Sequence, residues 1–316
     1  MSETLAAEWT SWIAQNVLRG APDDALVETL VGAGLSEERA RDEVSAVRRS
    51  PITSGAAALL RRSAGVEQVA RLMRERSPGV EEVDTLDEDE LHRTFWLGQR
   101  PVVVRGAARH FPAMAWTFEA LARRFGDVPV DVLAGRGAGW WTDREGHVAR
   151  TTFGELVRTC LETVGDAVYA DGRSELLATP GLEPLTTELG LLPGLVGDGF
   201  PRLWVGPAGT VTPLHHDQSS GWLVQLVGRK RMWMASPLEV ALLTTTDGLF
   251  NTVDARSPPT GEVEEVRFAT FELEPGDAVL IPVGWWHQVE ALTPSISVSM
   301  GGFRWPSVHT WYCPGR

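Results

Sequence analysis

The sequence predicts an α+β protein, mainly β, with a helical front and a strand-rich body. Two observations predict it. Apolar residues recur at helix spacing from residue 3 to about residue 77. From about residue 168 onward, short β-type runs follow one another between Gly, Pro and Ser turns, a density that suggests an antiparallel sandwich or barrel. The chain has 316 residues, 43% of them hydrophobic, which is ample material for a core, and no internal repeat or low-complexity tract breaks it.

In the front, Leu5, Trp9, Trp12, Ile13 and Val17 share one helix face, followed by Leu26, Leu30 and Val31. PDDA and LSEER are start signals, so three or four short helices are expected. The second and third read as a small helical hairpin serving as a packed cap or a dimer surface rather than a peptide-binding arm. Ser77-Pro78-Gly79 places a boundary near residue 78, giving a helical region 1–78 and a body 79–316. The acidic stretch VEEVDTLDEDELHRTF reads as a linker plus helix.

In the body, RPVVVRGA reads as a buried strand, WTFEALARRFG as an amphipathic helix ending at Gly126, VPVDVLAG as a strand and TTFGELVRTCLETV as a helix. The later strands are DAVYA, RLWVG, the segment around TPLHHD, WLVQLV, KRMWMAS, VRFATFELE, DAVLIPV and SISVSM.

The formal charge of -13 argues against nucleic acid or an anionic membrane as partner. No run is apolar for long enough to cross a bilayer. Cys160 and Cys313 lie far apart, and the start MSETLAAEWTSW lacks a basic and apolar leader, so a cytoplasmic, reducing location is expected.

The chemistry is carried by two segments. In GPAGTVTPLHHDQ, His215 and Asp217 are separated by one residue, so on a strand their side chains leave the same face. In LEPGDAVLIPVGWWHQVEAL, His287 is expected at the end of the strand AVLIPV. Two imidazoles and one carboxylate match the ligand set of non-haem Fe(II) oxygenases, which leaves metal positions open. A lone H-x-D arises often by chance, and a polar contact is its ordinary explanation. Lys230 adds a further signal, being the only lysine among 29 Lys+Arg residues. Its ammonium is a compact charge on a slim stem, which suits a narrow cavity better than a planar guanidinium does.

The combined pattern GTVTPLHHD, then GRKR, then PGDAVLIPVGWWH resembles the cupin-like JmjC family of 2-oxoglutarate-dependent hydroxylases, especially the branch of the asparaginyl hydroxylase that represses hypoxia-inducible factor. The resemblance covers roughly residues 80 to 305 and not the N-terminal helices. It implies a double-stranded β-helix, the jelly-roll or cupin core, with flanking helices. It implies Fe(II) on His215, Asp217 and His287, with 2-oxoglutarate as co-substrate and O2 as oxidant. It also implies that Lys230 grips the distal carboxylate of 2-oxoglutarate, assisted by Thr212, with Tyr169, one of two tyrosines, reaching it as well.

Two departures from that branch stand out. Gln218-Ser219-Ser220-Gly221 replaces an asparagine-bearing run beyond the ligand Asp, and Met300-Gly301 stands where the branch has a second asparagine. The chain continues only briefly past Trp311 and Tyr312, so a dimer through C-terminal helices like that branch's is not expected, and a homodimer, if formed, uses another surface. Trp286, Gln225 and Ser299 are candidates for the substrate pocket. Trp140 and Trp141 belong either to a loop at the mouth or to hairpin packing. His216 is assigned a supporting role and Cys160 a place in the core.

The leading reading is a dioxygenase that hydroxylates a side chain in a peptide or protein. The alternatives are the same chemistry on a free amino acid or small natural-product intermediate, N-demethylation, or a cupin-like barrel that binds metal or ligand without turnover.

Overall fold

The computed structural model describes residues 7–76, 79–137, 139–239, 242, 249–257 and 266–309. The expected boundary at residue 78 and the residues Trp311, Tyr312 and Cys313 lie outside them. The chain divides into two compact units, Met1–Met73 and Arg74–Arg316.

The first unit is helical. Helices α1 (Ala7–Leu18), α2 (Asp23–Gly32) and α3 (Glu37–Arg49) enclose a core of Ile13, Val17, Leu26, Val27, Leu30, Ala40, Val44 and Val47. Asp23 and Asp24 sit where the first turn of α2 favours negative charge, and the Ser36 hydroxyl accepts from the Arg39 N–H to cap α3. Helix α4 (Pro51–Arg76) starts on a proline, whose missing N–H is harmless there, and Thr53 is its one buried residue.

Among its described residues the second unit carries thirteen strands: β1 (Glu81–Val83), β2 (Val102–Val104), β3 (Pro129–Ala134), β4 (Val148–Thr152), β5 (Val168–Tyr169), β6 (Arg202–Gly206), β7 (Val211–His215), β8 (Gly221–Val227), β9 (Lys230–Ala235), β10 (Ala269–Leu273), β11 (Ala278–Ile281), β12 (Trp286–Ala291) and β13 (Ser295–Met300). They form a six-stranded sheet in the order β1-β2-β11-β8-β13-β6, a four-stranded sheet β10-β9-β12-β7 and a three-stranded sheet β4-β3-β5.

The two larger sheets share one interior, where Val103, Leu223, Val279 and Ile281 from one meet Met232, Met234, Phe271, Leu273 and Val289 from the other. The intervening residues of the six-stranded sheet, including Val102, Val104, Trp222, Val224, Ala278, Leu280, Ile296 and Val298, face an outer layer. That layer contains α6 (Phe118–Phe125) and α7 (Phe153–Glu162), packed through Phe118, Leu121, Leu156 and Val157. Thr117 and Thr152 cap the two helices through their hydroxyls. Burial on both faces explains why VVV and AVLI are uniformly apolar where a half-exposed strand would alternate.

Three elements differ from expectation, the first being β4, which takes in Thr151 and Thr152 where the helix TTFGELVRTCLETV was expected to begin. Part of the acidic linker is strand β1, paired in parallel with β2, before α5 (Glu88–Glu90) and the π-helical stretch Leu91–Trp96. His287 does not end the AVLIPV strand. Pro282 has no N–H to continue the ladder and Gly284 adopts φ +79, so the chain turns and His287 begins a strand of its own, β12. No helix among the described residues is long and apolar enough to cross a membrane.

Candidate functional site

Strands β7 and β12 are antiparallel neighbours, and their register sets His287 opposite His215, with ring centroids 4.1 Å apart. A register shift between His287 and Val289 marks a bulge beside the pair, a device that re-aims side chains next to sites. Asp217 arrives differently from the expected shared strand face. β7 stops at His215, and Asp217 lies in the loop beyond it, where its carbonyl accepts from the Gly284 N–H at 3.0 Å. The loop still brings Asp217 Oδ2 to 3.7 Å from His287 Nε2. One ligand atom from each of His215, Asp217 and His287 lies within 4.8 Å of the others.

Backbone carbonyls orient both rings. His215 Nδ1 is 2.7 Å from the Pro213 carbonyl and His287 Nδ1 is 2.9 Å from that of Trp285. A carbonyl only accepts, so each Nδ1 carries the proton and each Nε2 keeps a free lone pair. Burial, then the neighbouring His287, lowers the His215 pKa to about 4, which keeps that imidazole neutral near pH 7. His216 is fully buried and turned edge-on to Trp286 at 4.9 Å, in a different surround from its two neighbours.

A cavity of about 90 Å³ opens beside the three groups, lined by Tyr169, Thr212, Lys230, Ile281, Val289 and Ser299 among others. Lys230 opens β9 and is 3% exposed, and its ammonium has no acceptor among the described residues. Burial lowers its pKa to about 7. An unpaired buried ammonium is costly, so the cavity is built to receive an anion. The Tyr169 hydroxyl lies 3.2 Å from Thr212 Oγ1, and burial raises the phenol to about 12, so it remains a proton donor. Behind it, the Arg136 guanidinium lies 4.5 Å from the Tyr169 ring and 4.8 Å from that of Trp140, and pairs with Asp166.

A second cavity of about 430 Å³ continues outward, sharing Tyr169, Trp204, Thr212, His215, Asp217 and Ser299 with the first. Phe250 stacks on His215 on one side and on Trp141 on the other, each at 5.3 Å, forming an aromatic wall that runs outward from the ligand. Trp140 and Trp141, in a 3-10 turn, therefore lie at the mouth. Ser299 lines both cavities and accepts from Trp204 Nε1 at 3.0 Å.

Two expected pocket residues lie elsewhere. Trp286 is fully buried against Leu214, Ala235 and Leu242, because on β12 it faces away from its neighbour His287. Gln225 is also fully buried, its amide donating to the Val227 and Gly228 carbonyls while its carbonyl accepts from Ser297, so it braces a turn. Sequence reasoning missed Arg144, Asp171, Arg173, Arg202, Trp204 and Phe250, which line the outer cavity from separate segments with no common spacing.

Residues 88–303 match the cupin-like domain family. The chain belongs to this cupin-like JmjC family. Its relatives include Lysine-specific demethylase 8 of Xenopus tropicalis, 32% identical over 65% of this chain and 48% of that protein. Lysine-specific demethylase JMJ30 of Arabidopsis thaliana is 30% identical over 70% and 54% respectively. Jumonji C domain-containing protein 5 of Drosophila melanogaster is 39% identical over 31% and 26%. The chain thus spans about half the length, or less, of these relatives. The JmjC match does not single out the asparaginyl hydroxylase branch. JmjC proteins use Fe(II) and 2-oxoglutarate. The site fits both groups, with two Nε2 lone pairs and a carboxylate for the metal and an unpaired buried ammonium for a dicarboxylate.

Proposed function

We propose that this chain is an Fe(II)- and 2-oxoglutarate-dependent oxygenase that hydroxylates an amino-acid side chain within a peptide or protein. The observation that carries this reading is the buried Lys230, with no acceptor among the described residues, in the same small cavity as His215, Asp217 and His287. His215, Asp217 and His287 would hold the iron, and Lys230 would pair with the distal carboxylate of 2-oxoglutarate. The bound metal and co-substrate supply the oxidising power for attack on an unactivated C–H bond.

The chain's own contribution is placement. The Pro213 and Trp285 carbonyls hold both imidazoles in the ligating tautomer. Tyr169 and Thr212 supply hydroxyls beside Lys230 at the carboxylate's end of the cavity. Trp204, Leu223, Ile281 and Val289 keep that end apolar, which strengthens the ion pair once it forms. The outer cavity leads to the ligands and is roomy enough for a side chain presented by a polypeptide.

The names of two relatives favour a second outcome of the same chemistry, in which hydroxylation of an N-methyl group leads to demethylation.

Anaerobic titration with Fe(II) and then 2-oxoglutarate tests the reading. A visible metal-to-ligand charge-transfer band is expected in the wild type. Its absence in folded, metal-loaded protein would leave a binding barrel without turnover.

A further inference from the structure

Resting on the oxygenase reading above, we propose that the outer cavity takes an acidic polypeptide segment, with aspartate or glutamate beside the residue that is oxidised.

The charge of the mouth runs against the charge of the chain. The protein as a whole is acidic, at -13, with 42 Asp+Glu against 29 Lys+Arg. The outer cavity is nevertheless lined by three arginines, Arg144, Arg173 and Arg202, and by two carboxylates, Asp171 and Asp217. Neither carboxylate is available to a substrate cation. Asp217 belongs to the metal-ligand cluster. Asp171 is 5% exposed and fully engaged, accepting from Arg144 Nε at 3.1 Å and Nη2 at 2.6 Å, from the Arg173 backbone N–H at 3.1 Å and from the Ser174 hydroxyl at 3.2 Å. Arg144 is neutralised by that pair.

Arg173 and Arg202 remain. Both are exposed, and among the described residues neither guanidinium has a hydrogen-bond or ion-pair partner. They come from independent elements, Arg173 from the 3-10 turn after β5 and Arg202 from the first position of β6, and line one concavity. Exposed arginines without partners are ordinary on a flat surface. Two lining one cavity, with every lining carboxylate already committed, make a local positive field, and a concave low-dielectric surround focuses it.

The remaining lining suits a polypeptide. Phe200 is exposed beside Arg202, and Trp141 and Phe250 continue the apolar wall inward to His215. Backbone and apolar side chains pack on that wall while flanking carboxylates meet the guanidinium forks, the geometry arginine reads best. A lysine- or arginine-rich segment would place like charges side by side at the same positions.

The test uses the full chain loaded with Fe(II) and 2-oxoglutarate and three degenerate peptide mixtures of equal length, doped with Asp and Glu, with Lys and Arg, or with Ser and Gln. Binding is read anaerobically from the shift of the charge-transfer band, and turnover aerobically from succinate formed above the peptide-free rate. The acidic mixture should bind on the order of tenfold more tightly than the neutral one, as expected for a charge-assisted contact. The preference should fade with added salt. Arg173→Glu/Arg202→Glu should reverse it, and Arg173→Gln/Arg202→Gln should remove it. A basic mixture that equals or exceeds the acidic one in the wild type, or no response to any mixture, would overturn the inference while the band itself leaves the oxygenase reading standing. Free glutamate matching the acidic mixture would overturn the polypeptide half. Loss of the band in the wild type would remove both.

Discussion

The inner and outer cavities meet at His215 and Asp217 but are built by different means. The inner one is strand-made. Thr212 and His215 on β7, Lys230 on β9, His287 and Val289 on β12 and Ile281 on β11 are set by sheet register, and their burial permits little adjustment. The outer one is made largely of turns and loops, with Trp140, Trp141, Arg144, Arg173 and Phe250 brought in from separate connections. The difference teaches a division of labour. On the proposed function, a rigid frame would hold the metal and co-substrate, while segments that change without disturbing the core would select the substrate.

The largest effect is expected at the ligands. Asp217→Ala removes the only carboxylate of the cluster and should abolish the charge-transfer band, whereas Trp141→Ala in the outer cavity should leave it intact. Loss of the band in Trp141→Ala would break the division between the cavities.

Lys230 comes next. Lys230→Met should weaken 2-oxoglutarate binding by roughly 10²-fold, the scale for truncating one partner of a buried charge pair. The same change should raise the melting temperature of the co-substrate-free protein, because a buried unpaired ammonium is replaced by an apolar chain of similar length. Lys230→Arg should fail to restore affinity if the narrow inner cavity excludes a planar fork.

The pH dependence of co-substrate affinity sharpens the same point. Lys230 is buried with its pKa lowered to about 7, so the free protein loses that proton as pH rises through neutrality, and 2-oxoglutarate must restore it on binding. Affinity should be nearly level below that pKa and fall by up to about tenfold per pH unit above it. The sign for stability is opposite. The unfolded chain holds the Lys230 proton up to its ordinary pKa of 10.5, so between about 7 and 10.5 the unfolded state binds more protons and this residue's destabilisation is relieved as pH rises. Isothermal titration at several pH values, with Lys230→Met as control, checks the affinity profile.

The smallest effect is expected at Tyr169. Tyr169→Phe removes one hydroxyl beside Thr212 and should weaken 2-oxoglutarate by about tenfold, the lower end for a hydrogen bond to a charged group. No change would assign the hydroxyl to Thr212 alone.

Much of the inner site was legible in the sequence because it is written at short range. His215 and Asp217 are separated by one residue, Lys230 is the lone lysine, and the turn PGD with its following strand announces His287. Side-chain direction was less legible. β7 ends at His215, leaving Asp217 on a loop, and Trp286 packs in a separate apolar cluster beside Leu214 although it adjoins a ligand in sequence. Gln225 looked like a pocket residue on its strand, yet its amide is spent on the carbonyls of the turn that follows.

The sequence by itself determined the helical front and the strand-rich body, the acidic balance and the residue types for a metal and an anion, since periodicity, composition and local spacing are properties of the chain read along its length. Only the tertiary structure decided that His287 faces His215, that Lys230 is buried with no acceptor among the described residues, and that Arg173 and Arg202 line one cavity. Those facts depend on register and on loops that meet across long stretches of sequence. Their positions follow from how two sheets close on one interior, which no local pattern encodes.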